Sequence, residues 1–208
     1  MEKWVKIPII VSAIIIAAYL LTGCGDGSYE GLEGADAVSV KMDTVSIKKD
    51  GSIEHKIVDQ FEMDYYDINE LAMKAQEKID GYTEEKDAIV LQSAEDKDGK
   101  ITVKMIYKSG GYYEQYNHRQ FFYGTVAEAS EQGYSVKNVY DEEGNKLGDA
   151  KDVWDNHVVI IQTKKDEKID VNVFDKILYT SDNIARAGNN DVVIDAKDSD
   201  MISCIVFK

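Results

Sequence analysis

The chain has 208 residues, 24 of them lysine or arginine and 39 aspartate or glutamate, for a formal net charge of −15. At about 150 residues per domain, that length suits a single domain with a sizeable core behind a short leader. The acidic balance argues against nucleic-acid binding, which needs a basic stripe to displace phosphate counterions, and against adhesion to anionic lipid through surface charge.

Met1 to Lys6 holds two lysines against one glutamate, and IPIIVSAIIIAAYLLTG then runs uncharged from Ile7 to Gly23. A membrane-spanning helix wants about 20 apolar residues, whereas a secretory leader needs about 7 to 15 behind a positive start. The run lies between the two, with Pro8 near its start. Its last residues decide: Leu21, Thr22 and Gly23 directly before Cys24 resemble the lipobox of bacterial lipoproteins. The resemblance covers the first 24 residues. It implies that a diacylglyceryl group, with palmitate-like acyl chains, is joined to the Cys24 thiol and that the chain is cut between Gly23 and Cys24. The mature protein would then be held on the extracytoplasmic face of a bacterial cell membrane. Two acyl chains, at about 0.8 kcal/mol per buried methylene, anchor stably where one holds only marginally. Removing Glu2, Lys3 and Lys6 with the leader leaves 22 basic against 38 acidic side chains, a net charge of −16. The competing reading is an uncleaved signal anchor with a chance cysteine.

Residues 24–36 are glycine-rich and acidic, the composition of a solvated tether. From residue 37 to 208 the pattern is that of one α+β extracytoplasmic domain. Val38, Val40 and Met42 alternate, the phase slips at Asp43 and Thr44 as at a bulge, and Val45 and Ile47 resume before Asp50-Gly51. That dipeptide signals a hairpin with both central residues at positive φ, and Ile53, Ile57 and Phe61 continue the buried face. Between Asp67 and Tyr82 the period becomes helical, with Ile68, Leu71, Ala72, Ala75 and Ile79 on one face. Asp67 and Glu70 form a capping-box pair, and Gly81 a left-handed stop.

A second hairpin spans residues 88–108, with Ile101, Val103, Met105 and Tyr107 inward and Ile106 breaking the polarity. Thr125 with Glu128, then Gly133 with Tyr134, punctuate a second, short helix. Strands follow around Val136 to Tyr140, Val158 to Thr163, Ile169 to Val173, Lys176 to Tyr179, Val192 to Ile194 and Ile202 to Phe207. The expected architecture is a mainly antiparallel sheet built from hairpins, with two short-to-medium helices.

Several constellations invite chemistry. Placing Gly99 or Gly144 at position 6 of a calcium loop leaves Ala94 and Met105, or Val139 and Ala150, where the first and last carboxylates belong, so both acidic segments read as hairpin turns. SIKK at 46–49, KSG at 108–110 and SDN at 181–183 imitate the elements of penicillin-binding enzymes, but in the wrong order and with Ser46 in a strand. His55, His118 and His157 stand too far apart for zinc spacing, and no metal or cofactor is expected. His55 shares the parity of Ile53 and Ile57, so a hydrogen-bonded, partly buried histidine is expected there. Cys204, among apolar neighbours, reads as a buried free thiol.

GGYYEQYNHRQFFYG, residues 110–124, is the densest feature, with six aromatics, His118 and Arg119 within twelve residues. Two readings stand. The rings pack as a core helix-to-strand segment, or Tyr112, Tyr113, Tyr116, His118, Arg119, Phe121 and Tyr123 form a binding surface for a glycan, peptide or protein. In overall look, a short tether before an acidic, tyrosine-rich domain, the chain is similar to uncharacterised cell-surface lipoproteins of Gram-positive, Clostridia-like bacteria, with no diagnostic motif beyond Cys24. The expected function is non-enzymatic binding of a ligand or partner. A cell-envelope hydrolase or accessory subunit of one is the alternative, and a structural lipoprotein assembling through a sheet edge is the third.

Overall fold

A computed structural model describes residues 42–60, 67–97, 99–197 and 199–208. The leader, the Cys24 motif, the tether, Val38, Val40 and Phe61 lie outside them. In chain order the elements are β1 (Asp43–Ile47), β2 (Ile53–Gln60), α1 (Ile68–Asp80), β3 (Ile89–Lys97), β4 (Lys100–Tyr107), α2 (Gly110–Asn117), β5 (Phe121–Thr125), α3 (Val126–Glu131) and β6 (Val139–Tyr140). A 3-10 turn (Ala150–Val153) leads to β7 (His157–Thr163), β8 (Glu167–Asn172), β9 (Ile177–Ser181), β10 (Ile184–Arg186), β11 (Asp191–Ala196) and β12 (Met201–Phe207).

The strands form a seven-stranded sheet, ordered β10-β11-β8-β1-β2-β4-β3, and a five-stranded sheet, ordered β5-β7-β12-β9-β6. Pairing is antiparallel except between β1 and β8, which run parallel. A parallel pair needs a long crossover, and here it carries α1 to α3 and part of both sheets. The described chain is mainly β, with three α-helices instead of the expected two; the additional helix, α2, opens the aromatic stretch, and β5 closes it.

Period-two patterning explains the sheets. In β4, Ile101, Val103, Met105 and Tyr107 are all buried while their neighbours, Ile106 included, are only partly so. β7 and β12 instead read as nearly continuous apolar runs, because both faces of their sheet are covered. Val159, Ile161, Ile205 and Phe207 meet the larger sheet in one core with Val45, Ile53, Ile169, Val171 and Ile194. Val158, Ile160, Cys204 and Val206 face the other way, into a second core with Phe122, Val126, Ala129 and Val153. Leu71, Ala75 and Ile79 of α1 and Tyr113 and Tyr116 of α2 are buried in the first core.

Local chemistry departs from the sequence expectation at four places. Gly51 has φ +86° but Asp50 does not share it, because the loop between the paired Ile47 and Ile53 has five residues instead of two. β1 and β2 pair without a slip at Thr44; the register shifts lie between Leu91 and Ser93 and between Val206 and Phe207. Asp67 caps α1 by accepting from the amide of Asn69, not that of Glu70. Gly81 is right-handed, at φ −80°, and the helix ends with Tyr82 N–H donating to the Ile79 carbonyl.

α3 follows its signals: Thr125 and Glu128 form a reciprocal capping box, Gly133 has φ +85°, and Tyr134 packs against Phe122 at 5.0 Å. The strand expected from Val136 is reduced to Val139–Tyr140, and β10 carries too few apolar residues to have been anticipated. Among the described residues no helix is long and apolar enough to cross a membrane.

Candidate functional site

The aromatic stretch divides between core and surface. Tyr113, Tyr116 and Phe121 are buried, with Tyr113 edge-on to Tyr107 at 5.2 Å and tilted on Phe121 at 4.7 Å. Gly110 makes this possible, since a Cβ there would meet the Phe121 ring at 3.0 Å. Tyr112 is partly exposed and donates to Glu85, whose other oxygen takes the Lys108 ammonium at 2.5 Å. Tyr123, half-buried, stacks on His157. His118 is exposed and ends α2 in the left-handed region, at φ 50°.

That reversal turns Arg119 inward. Its side chain is 8% exposed and its Nη2 lies 2.7 Å from Oε1 of Glu167, itself 15% exposed. The other Glu167 oxygen accepts the amide of Lys164 at 2.8 Å. The antiparallel register pairs Phe121 with Ile161, and Gln162 N–H donates to the Gln120 carbonyl, so the next pair sets Arg119 opposite Thr163. Asp43, the first residue of β1, accepts the Val58 amide at 2.8 Å. His55 lies on β2 between Val45 and Met105, with its ring edge-on to Tyr113 at 5.5 Å. Residues from β1, β2, α2, the turn after it, β7 and β8 thus meet in one polar cluster inside the first core.

Electrostatics within the cluster are uneven. Burial, with repulsion from Glu167 and Asp59, raises the Asp43 carboxyl to about 6 against the opposing pull of the Val58 amide and Arg119. Burial, reinforced by the Arg119 charge, lowers His55 to about 3, so the imidazole is neutral. The histidine is more deeply buried than its parity suggested, and neither ring nitrogen has the hydrogen bond expected of it. Chemically, the cluster offers one carboxyl able to exchange a proton near neutrality beside a fixed guanidinium–carboxylate pair.

Asp43 and Glu167 carried no sequence signal, since each is one acid among 39 at a strand start. Arg119 did carry one. The chain has two arginines against 22 lysines, and both are tied inward, Arg186 donating to the carbonyls of Ile177 and Leu178. Interior pairing favours the planar, weakly hydrated guanidinium over the ammonium.

The remaining constellations serve the fold. Ser46 donates to Asn172, Lys108 pairs with Glu85, and Ser181 accepts the Cys204 amide, so the enzyme-like fragments belong to separate networks. Asp96 accepts the Gly99 amide, and Asp141 those of Glu143 and Asn145, closing the two acidic turns. Among the described residues no group of three or more His, Cys, Asp or Glu is placed to hold a metal. Cys204 is a buried free thiol pushed up to about 12 by burial. Comparison with protein-family models, curated proteins and solved structures finds no match to this chain.

Proposed function

We propose that the chain is a lipoprotein, anchored through acyl chains on Cys24 to the extracytoplasmic face of a bacterial membrane, whose α+β domain binds a ligand or partner without chemistry of its own. The observation that carries this reading is the order Leu21-Thr22-Gly23-Cys24 behind a positive start and an uncharged run. Binding is supported by the exposed part of the aromatic stretch, where Tyr112 stands beside the Glu85–Lys108 pair and His118 is open to solvent. A glycan, peptide or protein would meet rings there whose polar tips confer specificity.

Intact-mass analysis of the membrane fraction tests the anchor. The expected product begins at acylated Cys24, and Cys24→Ala releases the protein from the membrane. An intact Met1, or retention of the variant with no acyl mass on the native protein, would restore the membrane span. Tyr112→Ala and His118→Ala should leave the fold intact while weakening capture of peptidoglycan fragments.

A cell-envelope hydrolase is the second reading, and its candidate general acid is Asp43, a carboxyl that accepts the Val58 amide beside the Arg119–Glu167 pair and is raised by burial. Turnover of peptidoglycan fragments that disappears in Asp43→Asn would establish it over the binding module.

A further inference from the structure

Buried polar groups almost always find partners, and those that do not require an explanation. Seven buried side-chain nitrogen and oxygen atoms of the described residues lack a hydrogen-bond partner in the protein. Six of them belong to the one cluster: His55 Nδ1 and Nε2, the Tyr113 hydroxyl, Arg119 Nε and Nη1, and Thr163 Oγ1. Tyr113 and Thr163 are 0% exposed, His55 5%, and the Arg119 side chain 8%. The Arg119 charge acts on both His55 and Tyr113, and continuing the β5–β7 register two residues beyond Phe121–Ile161 brings Thr163 opposite it.

We propose that this cluster is an internal binding site for ordered water, held by Arg119, His55, Tyr113 and Thr163 between the two sheets. The donor set decides the chemistry. Arg119 supplies three fixed N–H donors on Nε and Nη1, neutral His55 one donor and one acceptor, and the two hydroxyls turn to suit, so the occupant must both accept and donate. A small anion is disfavoured because Glu167 already neutralises Arg119 and the Asp43 carboxyl acts on both Arg119 and Tyr113. A metal cation would confront the guanidinium. An apolar occupant would leave all six atoms unsatisfied. Neutral oxygen ligands remain, and the enclosure of these side chains, each 8% exposed or less, favours the smallest of them, water. Buried waters of this kind make about three hydrogen bonds each, so two would serve the six atoms.

Oxygen-17 magnetic relaxation dispersion on the full chain, with water-to-protein exchange cross-peaks recorded at the His55 ring and Arg119 Hε, tests this. The expected result is long-lived internal water with cross-peaks at both groups, and loss of at least one such water in Tyr113→Phe or Thr163→Val. Those two variants keep shape and remove only a hydroxyl, and both should lower Tm because the water loses a partner. Absence of long-lived water, with both variants neutral or more stable than the wild type, would overturn the proposal, since deleting an orphaned hydroxyl from a dry interior is favourable. Replacement of the cross-peaks by solute signals in glycerol buffer would also overturn it, assigning the site to larger hydroxyl ligands.

Discussion

The two faces of the five-stranded sheet are covered in opposite ways. Toward α3, Phe122, Val126, Ala129, Val153, Val158, Ile160, Cys204 and Val206 form an apolar core, and among the described residues no ion pair is placed with them. Toward the larger sheet, the same strands share a core that contains Arg119, Glu167, His55 and Tyr113. Apolar packing, the capping box, and the Val126 and Ala127 amides donating to the Asn156 and Trp154 carbonyls together attach a helix as short as α3, six residues long, which could not stand unaided. Placing a guanidinium inside the other core carries a large desolvation cost that its partner offsets only with good geometry. The polar core is therefore where a role beyond packing is to be sought.

Arg119→Met should produce the largest effect. It leaves Glu167 buried without its cation, at a cost of about 3–5 kcal/mol, measurable by urea unfolding of the full chain. Ile160→Val on the opposite face removes one methylene and should cost about 0.5–1.5 kcal/mol. Equal costs would break the distinction between the two cores. Arg119→Met combined with Glu167→Gln should recover part of the loss, since the stranded charge is then removed.

Acidity separates the cores next. His55 is lowered to about 3, so as pH falls below its ordinary value near 6.5 the unfolded chain takes a proton that the folded chain refuses, and stability is lost toward pH 3. Asp43 is raised to about 6, so its contribution is fully present below 3.8 and is lost as pH rises through 6. Between about pH 4 and 6 the two oppose one another. Relative to wild type, Asp43→Asn should therefore lose Tm on acidification from pH 7 to 4, and His55→Phe should gain it. Parallel Tm profiles for the three proteins would show that neither group is perturbed as described.

How much of this was legible depended on whether the determining contact was local. The face of α1, the second hairpin, and both ends of α3 were written in residues a few positions apart, and each formed. Gly81 carried the residue type of a left-handed stop, but Tyr82 settles against Tyr116 with the glycine right-handed. The dual burial of β7 hides the alternation that would reveal its sheet, and nothing local marks its two-sided covering. Within the aromatic stretch, composition could not separate Tyr113 from Tyr112. Which ring turns inward is set by helix phase and by the close approach that Gly110 permits. The polar cluster was least accessible, because Asp43, His55, Arg119 and Glu167 come from four separate segments whose meeting depends on the parallel β1–β8 pair.

The smallest effect asks whether the apolar core opens by itself. Thr125→Ala removes one half of the capping box that starts α3, at a cost of about 1 kcal/mol. α3 and the 3-10 turn cover the face that holds Cys204, whose thiol, pushed up to about 12, is shielded while the core stays closed. If α3 lifts away locally, thiol labelling of Cys204 in Thr125→Ala should quicken by about fivefold, the factor that matches 1 kcal/mol, and should depend only weakly on urea, because little surface is exposed. The Arg119 Hε exchange on the other face should then stay unchanged. A urea dependence as steep as that of global unfolding would mean that the two cores open together, and that the sheet between them transmits the loss of a single cap from the apolar side to the polar one.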